Sequence, residues 1–156
     1  MKTDRRQERE EAAGRKAAMA ALSHAPGDRL KALWAQAGLP RDAQKLRGPE
    51  TGLVTVRGRI GGGGAPFNFG EATVTRATVR VEGGAVGHAY ALGRDKEKAL
   101  LSAIADALWQ DASRRAEIEA SIIEPLRAEQ LAADETRRAE TAATKVDFFT
   151  MVRGED

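Results

Sequence analysis

Residues 53–76 constrain the fold more tightly than any other stretch. Two segments with period-two alternation flank a run of four glycines, Gly61-Gly62-Gly63-Gly64. In the first segment Val54, Val56, Gly58 and Ile60 face one way, and Thr55, Arg57 and Arg59 the other. That pattern predicts a half-buried strand with a cationic outer face. The residues that follow the loop are Asn68, Glu71 and Arg76. Successive backbone N–H groups in a tight turn, joined by guanidinium forks, suit a phosphate or a carboxylate. The plainer reading is a flexible hairpin loop whose arginines form an ordinary polar face paired with Glu71 or Glu82. No Gly-Lys-Ser/Thr follows the loop, and its glycines are contiguous and run into Pro66, so neither a P-loop nor a dinucleotide fingerprint is present.

The sheet pattern continues beyond the loop. Ala72 and Val74 take one face and Ala77, Val79 and Val81 the opposite one, so a bulge or bend is expected near Thr75-Arg76. Glu82-Gly83-Gly84 reads as a hairpin turn. Val86, His88, Tyr90 and Leu92 then alternate with Gly87, Ala89 and Ala91, a strand with one bulky face and one tiny face that lets a helix or another chain approach. Leu46 to Gly52 reads as a turn-rich junction before the sheet.

Helical patterns surround this core. Residues 5–24 form one helix stopped by Pro26-Gly27. A shorter helix is capped by Asp28, carries Leu30, Leu33 and Trp34 on one stripe, and ends at Gly38-Leu39-Pro40. Asp95 caps a third helix with the stripe Leu100, Leu101, Ile104, Leu108 and Trp109. A fourth covers 114–123 with Ile118 and Ile122, and Pro125 kinks or restarts it toward Thr141. The tail is strand-like: Val146, Phe148 and Thr150 alternate with Asp147, Phe149 and Met151. It serves either as an added strand or as an arm set against another subunit. The fold class is therefore α+β: a small antiparallel sheet with an N-terminal helical pair, C-terminal helices and a terminal strand or arm. Residues 1–156 form a single domain, with 1–11 open to fraying and 144–156 the arm or strand.

Composition narrows the function. Twenty-five Lys and Arg against 23 Asp and Glu leave a formal charge of +2, without the basic stripe that nucleic acid demands. There is no cysteine, which excludes a disulfide framework, a thiolate metal site and a cysteine nucleophile. His24 and His88 are too few for a multi-histidine metal centre, so no metal is expected. The start of the chain is charged, no signal peptide is read, and no apolar run reaches the roughly 18 residues of a membrane span. A cytoplasmic protein with no membrane contact is expected. His88, Glu50 with Glu71, and the serines offer no convincing catalytic set. Lys145 and Asp147 share a face of the strand-like tail and are expected to satisfy an interface or each other.

Three separated stretches carry a family resemblance. Leu46-Arg47-Gly48-Pro49-Glu50-Thr51-Gly52 leads through the glycine loop to Arg76; Gly93-Arg94-Asp95 follows; Ala142 to Gly154, with Lys145, Asp147, Phe148, Phe149 and Arg153, closes the set. Together they resemble the signature of the PhnG family, the G subunit of the bacterial carbon–phosphorus lyase core complex, over roughly residues 12–154. One departure is Ala77, where many relatives are expected to carry a cysteine, so that position is not chemically essential. The resemblance implies a subunit with no independent activity. It would act with the H, I and J subunits, and functionally with L, in replacing the adenine of MgATP by an alkylphosphonate. The product would be ribose 1-phosphonate 5′-triphosphate. The bond-breaking residues are implied to lie on I, against which G packs. This chain would hold no cofactor of its own, MgATP being a substrate of the complex. Arg57, Arg59 and Arg76 with Gly61–Gly64, Asn68 and Glu71 would then bind an anion or partner. Lys145, Asp147, Phe148, Phe149 and Arg153 would bind a partner. The alternative is a purely structural scaffold that never touches substrate.

Overall fold

The computed structural model describes residues 2–145, with the side chains of residues 2–4 excepted. Helices α1 (Lys2–His24) and α2 (Gly27–Ala37) precede a sheet of β1 (Gln44–Gly58), β2 (Phe67–Arg80) and β3 (Val86–Leu92). Helix α3 (Lys96–Gln110) follows, then α4 (Ala112–Ile118), a π-helical turn (Glu119–Ile123) and α5 (Glu124–Ala143). The strands run in the order β1-β2-β3, all antiparallel. The α+β expectation with its N-terminal helical pair is met, while the tail expected as strand or arm lies outside the described residues beyond Lys145.

The core forms where one face of the sheet meets α3. Thr75, Ala77 and Val79 of β2, Val81 just past its end, and Gly87, Ala89 and Ala91 of β3 are buried on that face. The tiny face of β3 has the purpose its sequence indicates. A Cβ at position 87 would overlap the Ala103 carbonyl and the Ala107 amide of α3, so only glycine admits the helix this closely. Helix α3 was expected to bury one stripe, yet Leu101 to Trp109 are buried without a break. Ala103 and Ala107 meet β3 at Gly87, and α1, α2 and α4 cover the helix's other sides. Leu30 and Trp34 of α2 pack on this helical layer rather than on the sheet, each full burial contributing about 1.5–3 kcal/mol. The Trp34 indole donates to the Leu39 carbonyl at 3.0 Å, which satisfies its one polar atom.

Several expectations need correction. Asp28 is not the cap of α2. Pro26 occupies that position, and Asp28 stands in the first turn, where it pairs with Lys31. Asp95 does cap α3, accepting from the Lys98 N–H at 2.9 Å. Residues 46–52 are strand rather than junction. The ladder shifts register between Lys45 and Arg47 and again between Arg47 and Glu50, so Gly48 and Pro49 sit in an irregularity of an edge strand. A proline without an N–H is tolerated there. No bulge interrupts β2 near Thr75, where both ladders run in register. Thr75 points inward as a polar residue instead. Its hydroxyl donates to the Gly93 carbonyl at 2.7 Å and accepts from the Thr51 hydroxyl at 3.0 Å. Ile60, expected on a buried face, is exposed.

A partly buried ion pair ties the layers together. Arg15 of α1 donates from Nε and Nη2 to the two carboxylate oxygens of Asp106, both at 2.8 Å, and Asp106 also accepts from the His88 N–H. Hydrogen bonding to Asp106 pushes the Arg15 guanidinium further above its usual range. Before Pro125, the helix widens into the π turn, and Leu126 is buried beyond it.

Candidate functional site

Strand β3 pairs with β2 only from Val74 to Arg80. The rest of β2 continues with β1 alone, through the pairs Leu53↔Thr73, Val54↔Ala72, Thr55↔Glu71, Val56↔Gly70, Arg57↔Asn68 and Gly58↔Phe67. The sequence therefore builds a two-stranded arm that runs past the third strand. Its tip is the expected glycine loop. Ile60–Gly62 makes a single 3-10 turn in which Gly61 adopts φ 62°, the left-handed region that favours glycine. The Gly64 N–H closes the turn on the Ile60 carbonyl at 3.4 Å.

The ladder decides which candidate residues meet. Arg57 stands directly opposite Asn68, with a register shift and the Val56↔Gly70 pair between it and Thr55↔Glu71, so Arg57, Asn68 and Glu71 share one end of the arm with the loop. Arg59 enters the loop and donates from Nη1 to the Gly64 carbonyl at 3.3 Å. Arg76 does not join them. It pairs with Glu50, eight positions along β2 from Asn68, or about 26 Å at strand rise. Its Nε donates to Glu50 Oε1 at 2.7 Å, and Arg47 contacts the same oxygen at 3.4 Å. The plainer reading paired the arginines with Glu71 or Glu82; for Arg76 the ladder selects Glu50. Lys145 follows α5 at the end of the described chain, and Asp147, Phe148, Phe149 and Arg153 lie outside the described residues.

What the sequence reading missed is the apolar surface of the arm. Leu53 is 63% exposed, Ile60 77%, Phe67 44% and Phe69 62%. The Phe67 and Phe69 rings lie 6.2 Å apart at 56°, a tilted pair. Phe69 lies over Gly58, where a Cβ would come within 2.8 Å of the ring. A readable signal was present: two phenylalanines at i and i+2, opposite a glycine that offers them no side chain to pack on. A lone two-stranded ribbon is marginally stable in water. Exposed aromatics beside arginine have the composition of a protein interface centre.

Chemically, the tip can bind and position. Its guanidinium groups and loop amides can face an anion, and its aromatic ridge can seat on a partner. It brings no base, nucleophile and orienting group together. Among the described residues no cluster of His, Asp or Glu is placed to hold a metal ion, and no helix is long and apolar enough to cross a membrane. His88, on the exposed face of β3, contacts the Thr78 hydroxyl through Nδ1 at 3.2 Å.

Comparison with known proteins adds two findings. A family model described as phosphonate metabolism protein PhnG matches residues 13–154. A relative from Rhizobium meliloti (strain 1021), named alpha-D-ribose 1-methylphosphonate 5-triphosphate synthase subunit PhnG, is 54% identical over 144 residues, 92% of each chain.

Proposed function

Since the chain belongs to the PhnG family of phosphonate metabolism proteins, we propose that it is a non-autonomous subunit of a ribose 1-phosphonate 5′-triphosphate synthase. The assembly takes MgATP and an alkylphosphonate and releases adenine. The name of the R. meliloti relative supports this reading at the level of the complex. In the proposal the partners are the H, I and J subunits, with L acting alongside, and the bond-breaking groups belong to I. This chain forms one domain, works in the cytoplasm and binds no cofactor of its own.

The observation that carries the reading is the arm: an exposed aromatic ridge that needs a covering surface, bearing Arg57 and Arg59 at its tip. Seated on I, the ridge would exclude water around these cations. Lower dielectric strengthens their attraction for triphosphate or phosphonate oxygens without supplying a group that could hydrolyse them. Asn68 and the loop amides would complete the polar surface.

The scaffold reading also has an observation behind it. Arg59 is turned to its own loop carbonyl and Arg76 is tied to Glu50. One experiment separates the two readings. Complexes carrying Arg57→Gln or Arg59→Gln, and a third carrying Phe67→Ser with Phe69→Ser, are purified and assayed for adenine release. The proposal expects the arginine variants to assemble normally and lose about a hundredfold or more in turnover, the scale of losing one preorganised charge-stabilising group. It expects the phenylalanine variant not to assemble. Arginine variants with unchanged turnover and substrate affinity would leave the chain a scaffold.

A further inference from the structure

Among the described residues the sheet has helices on one face only. Ala77, Val79, Gly87, Ala89 and Ala91 turn to the buried face with α3, and residues of the other parity turn away from it. The two ladders fix what those outward residues build, because residues directly opposite each other share a face. Glu50, Arg76 and Tyr90 form one cross-strand row. Arg47, opposite Thr78, and Arg80 stand in the next two rows, and Leu92 in the row on the other side.

An antiparallel sheet can leave one face to water when that face is polar. Here Tyr90 is 52% exposed and Leu92 73%. The charges are one-sided as well. The guanidinium groups of Arg47, Arg76 and Arg80 have a single carboxylate among them, and two of the three share it. Arg47 and Arg76 contact the same oxygen, Glu50 Oε1, at 3.4 and 2.7 Å. Arg80 is exposed and has no hydrogen bond or ion pair among the described residues.

We propose that this outward face docks a partner subunit whose contact surface carries carboxylates around an apolar centre. The inference rests on the reading of the chain as a subunit and adds a contact apart from the tip of the arm. Arg80 lies twelve positions along β2 from Asn68, about 40 Å at strand rise. Charge selects the occupant. In a two-fold dimer the face would meet itself and set one surplus of arginines against an equal one. Nucleic acid would bring phosphates past Glu50, and a site on a duplex commonly engages about six to ten of them, more than these cations can answer. A carboxylate-bearing protein surface supplies the acceptors that Arg80 lacks and that Arg47 and Arg76 divide. Tyrosine beside arginine is also the composition in which protein interfaces are enriched.

The test is capture of the H, I and J subunits by the full chain, titrated at low and high salt, with Arg80→Glu, Arg80→Lys and Tyr90→Ser beside the wild type. Both positions are exposed, and circular dichroism checks that each variant is folded. Arg80→Glu is expected to weaken capture about tenfold or more and to flatten its salt dependence, while Arg80→Lys keeps most of both. Tyr90→Ser should weaken capture about tenfold and leave the salt dependence as it was. Hydroxyl-radical labelling of Tyr90 should be strong in the isolated chain and fall in the complex. Capture unchanged by both Arg80→Glu and Tyr90→Ser would overturn the inference and leave the subunit reading standing. A wild-type chain that captures none of the subunits would sink both. Binding of a mixed-sequence RNA oligonucleotide that Arg80→Glu abolishes would give the face to nucleic acid, and a dimer of the chain lost in Tyr90→Ser would give it to a second copy; either result overturns the assignment made here.

Discussion

One strand, β2, passes through two environments, and they follow different rules. From Val74 to Arg80 it is flanked by β1 and β3 and backed by α3, and Val79 is wholly buried. From Phe67 to Thr73 it has only β1, and the large apolar residues around it remain in water. The Val74–Arg80 half is stabilised by its own chain. The Phe67–Thr73 half keeps its apolar surface for another. Thermodynamic stability of the isolated chain therefore reports on the body, and assembly reports on the arm.

Two strand glycines put that contrast to the largest test. Gly87 in the body and Gly70 in the arm both have ordinary strand dihedrals, so neither is held by its backbone. A side chain at 87 meets the backbone of α3, whereas at 70 it meets nothing within 4 Å. Gly87→Val should force β3 and α3 apart and cost about 4 kcal/mol or more, enough to abolish a soluble folded chain. Gly70→Val should shift stability by less than about 1 kcal/mol in either direction, since β-branched residues suit a strand. Denaturant titration of both variants is the measurement. A folded Gly87→Val chain would mean that the body is looser than its packing indicates.

A smaller effect should follow from the clip between layers. Asp106→Ala leaves the Arg15 guanidinium and the His88 N–H without their acceptor. Loss of one partner of a buried pair costs about 3–5 kcal/mol. The lower end is expected here, because the Arg15 side chain is partly exposed and can turn to water. The same denaturant titration should show the loss, with arm-dependent assembly unaffected at temperatures where the chain remains folded. Failure to assemble under those conditions would couple the two regions.

The body was more legible than the arm because its signals are local. The Leu30, Leu33 and Trp34 stripe, the Asp95 cap, the Gly83-Gly84 turn and the tiny face of β3 each follow from a few adjacent residues. Burial all round α3 does not. Its alanines read as neutral helix formers until a sheet is placed against them, and the Arg15–Asp106 pair joins positions 91 residues apart. Pro49 and its neighbouring glycines read as a turn because an edge strand with irregular register tolerates the same residues. At the candidate site, the loop and the company of Arg57, Arg59 and Asn68 were readable from spacing. Arg76 was not, since its separation from the tip depends on strand length and its Glu50 partner on register. The exposed Phe67 and Phe69 escaped because sequence pattern assigns large apolar residues to an interior.

The smallest expected effect confines an acid response to the body. The Lys98 N–H, assisted by Lys31, holds the Asp95 carboxyl below the usual aspartate range. Its folded value is depressed, so its contribution is fully present above the unfolded value near 3.9 and is lost as pH falls through the lower folded value. Burial meanwhile lowers the Lys98 ammonium below the ordinary lysine range. Asp95→Asn keeps a capping oxygen but removes the titration, and Asp95→Ala removes both. The alanine variant should lose about 1 kcal/mol at neutral pH, while the asparagine variant should lose less and show a flatter stability profile below pH of about 4. Because β2 pairs with β3 only over its second half and α3 backs that same half, protection relative to the intrinsic exchange rate should fall there first as the α3 cap is lost, while the Phe67–Thr73 amides keep the protection they had. A matching acid response in the arm would show that its order depends on α3 after all, and the division drawn along β2 would have to move toward the tip.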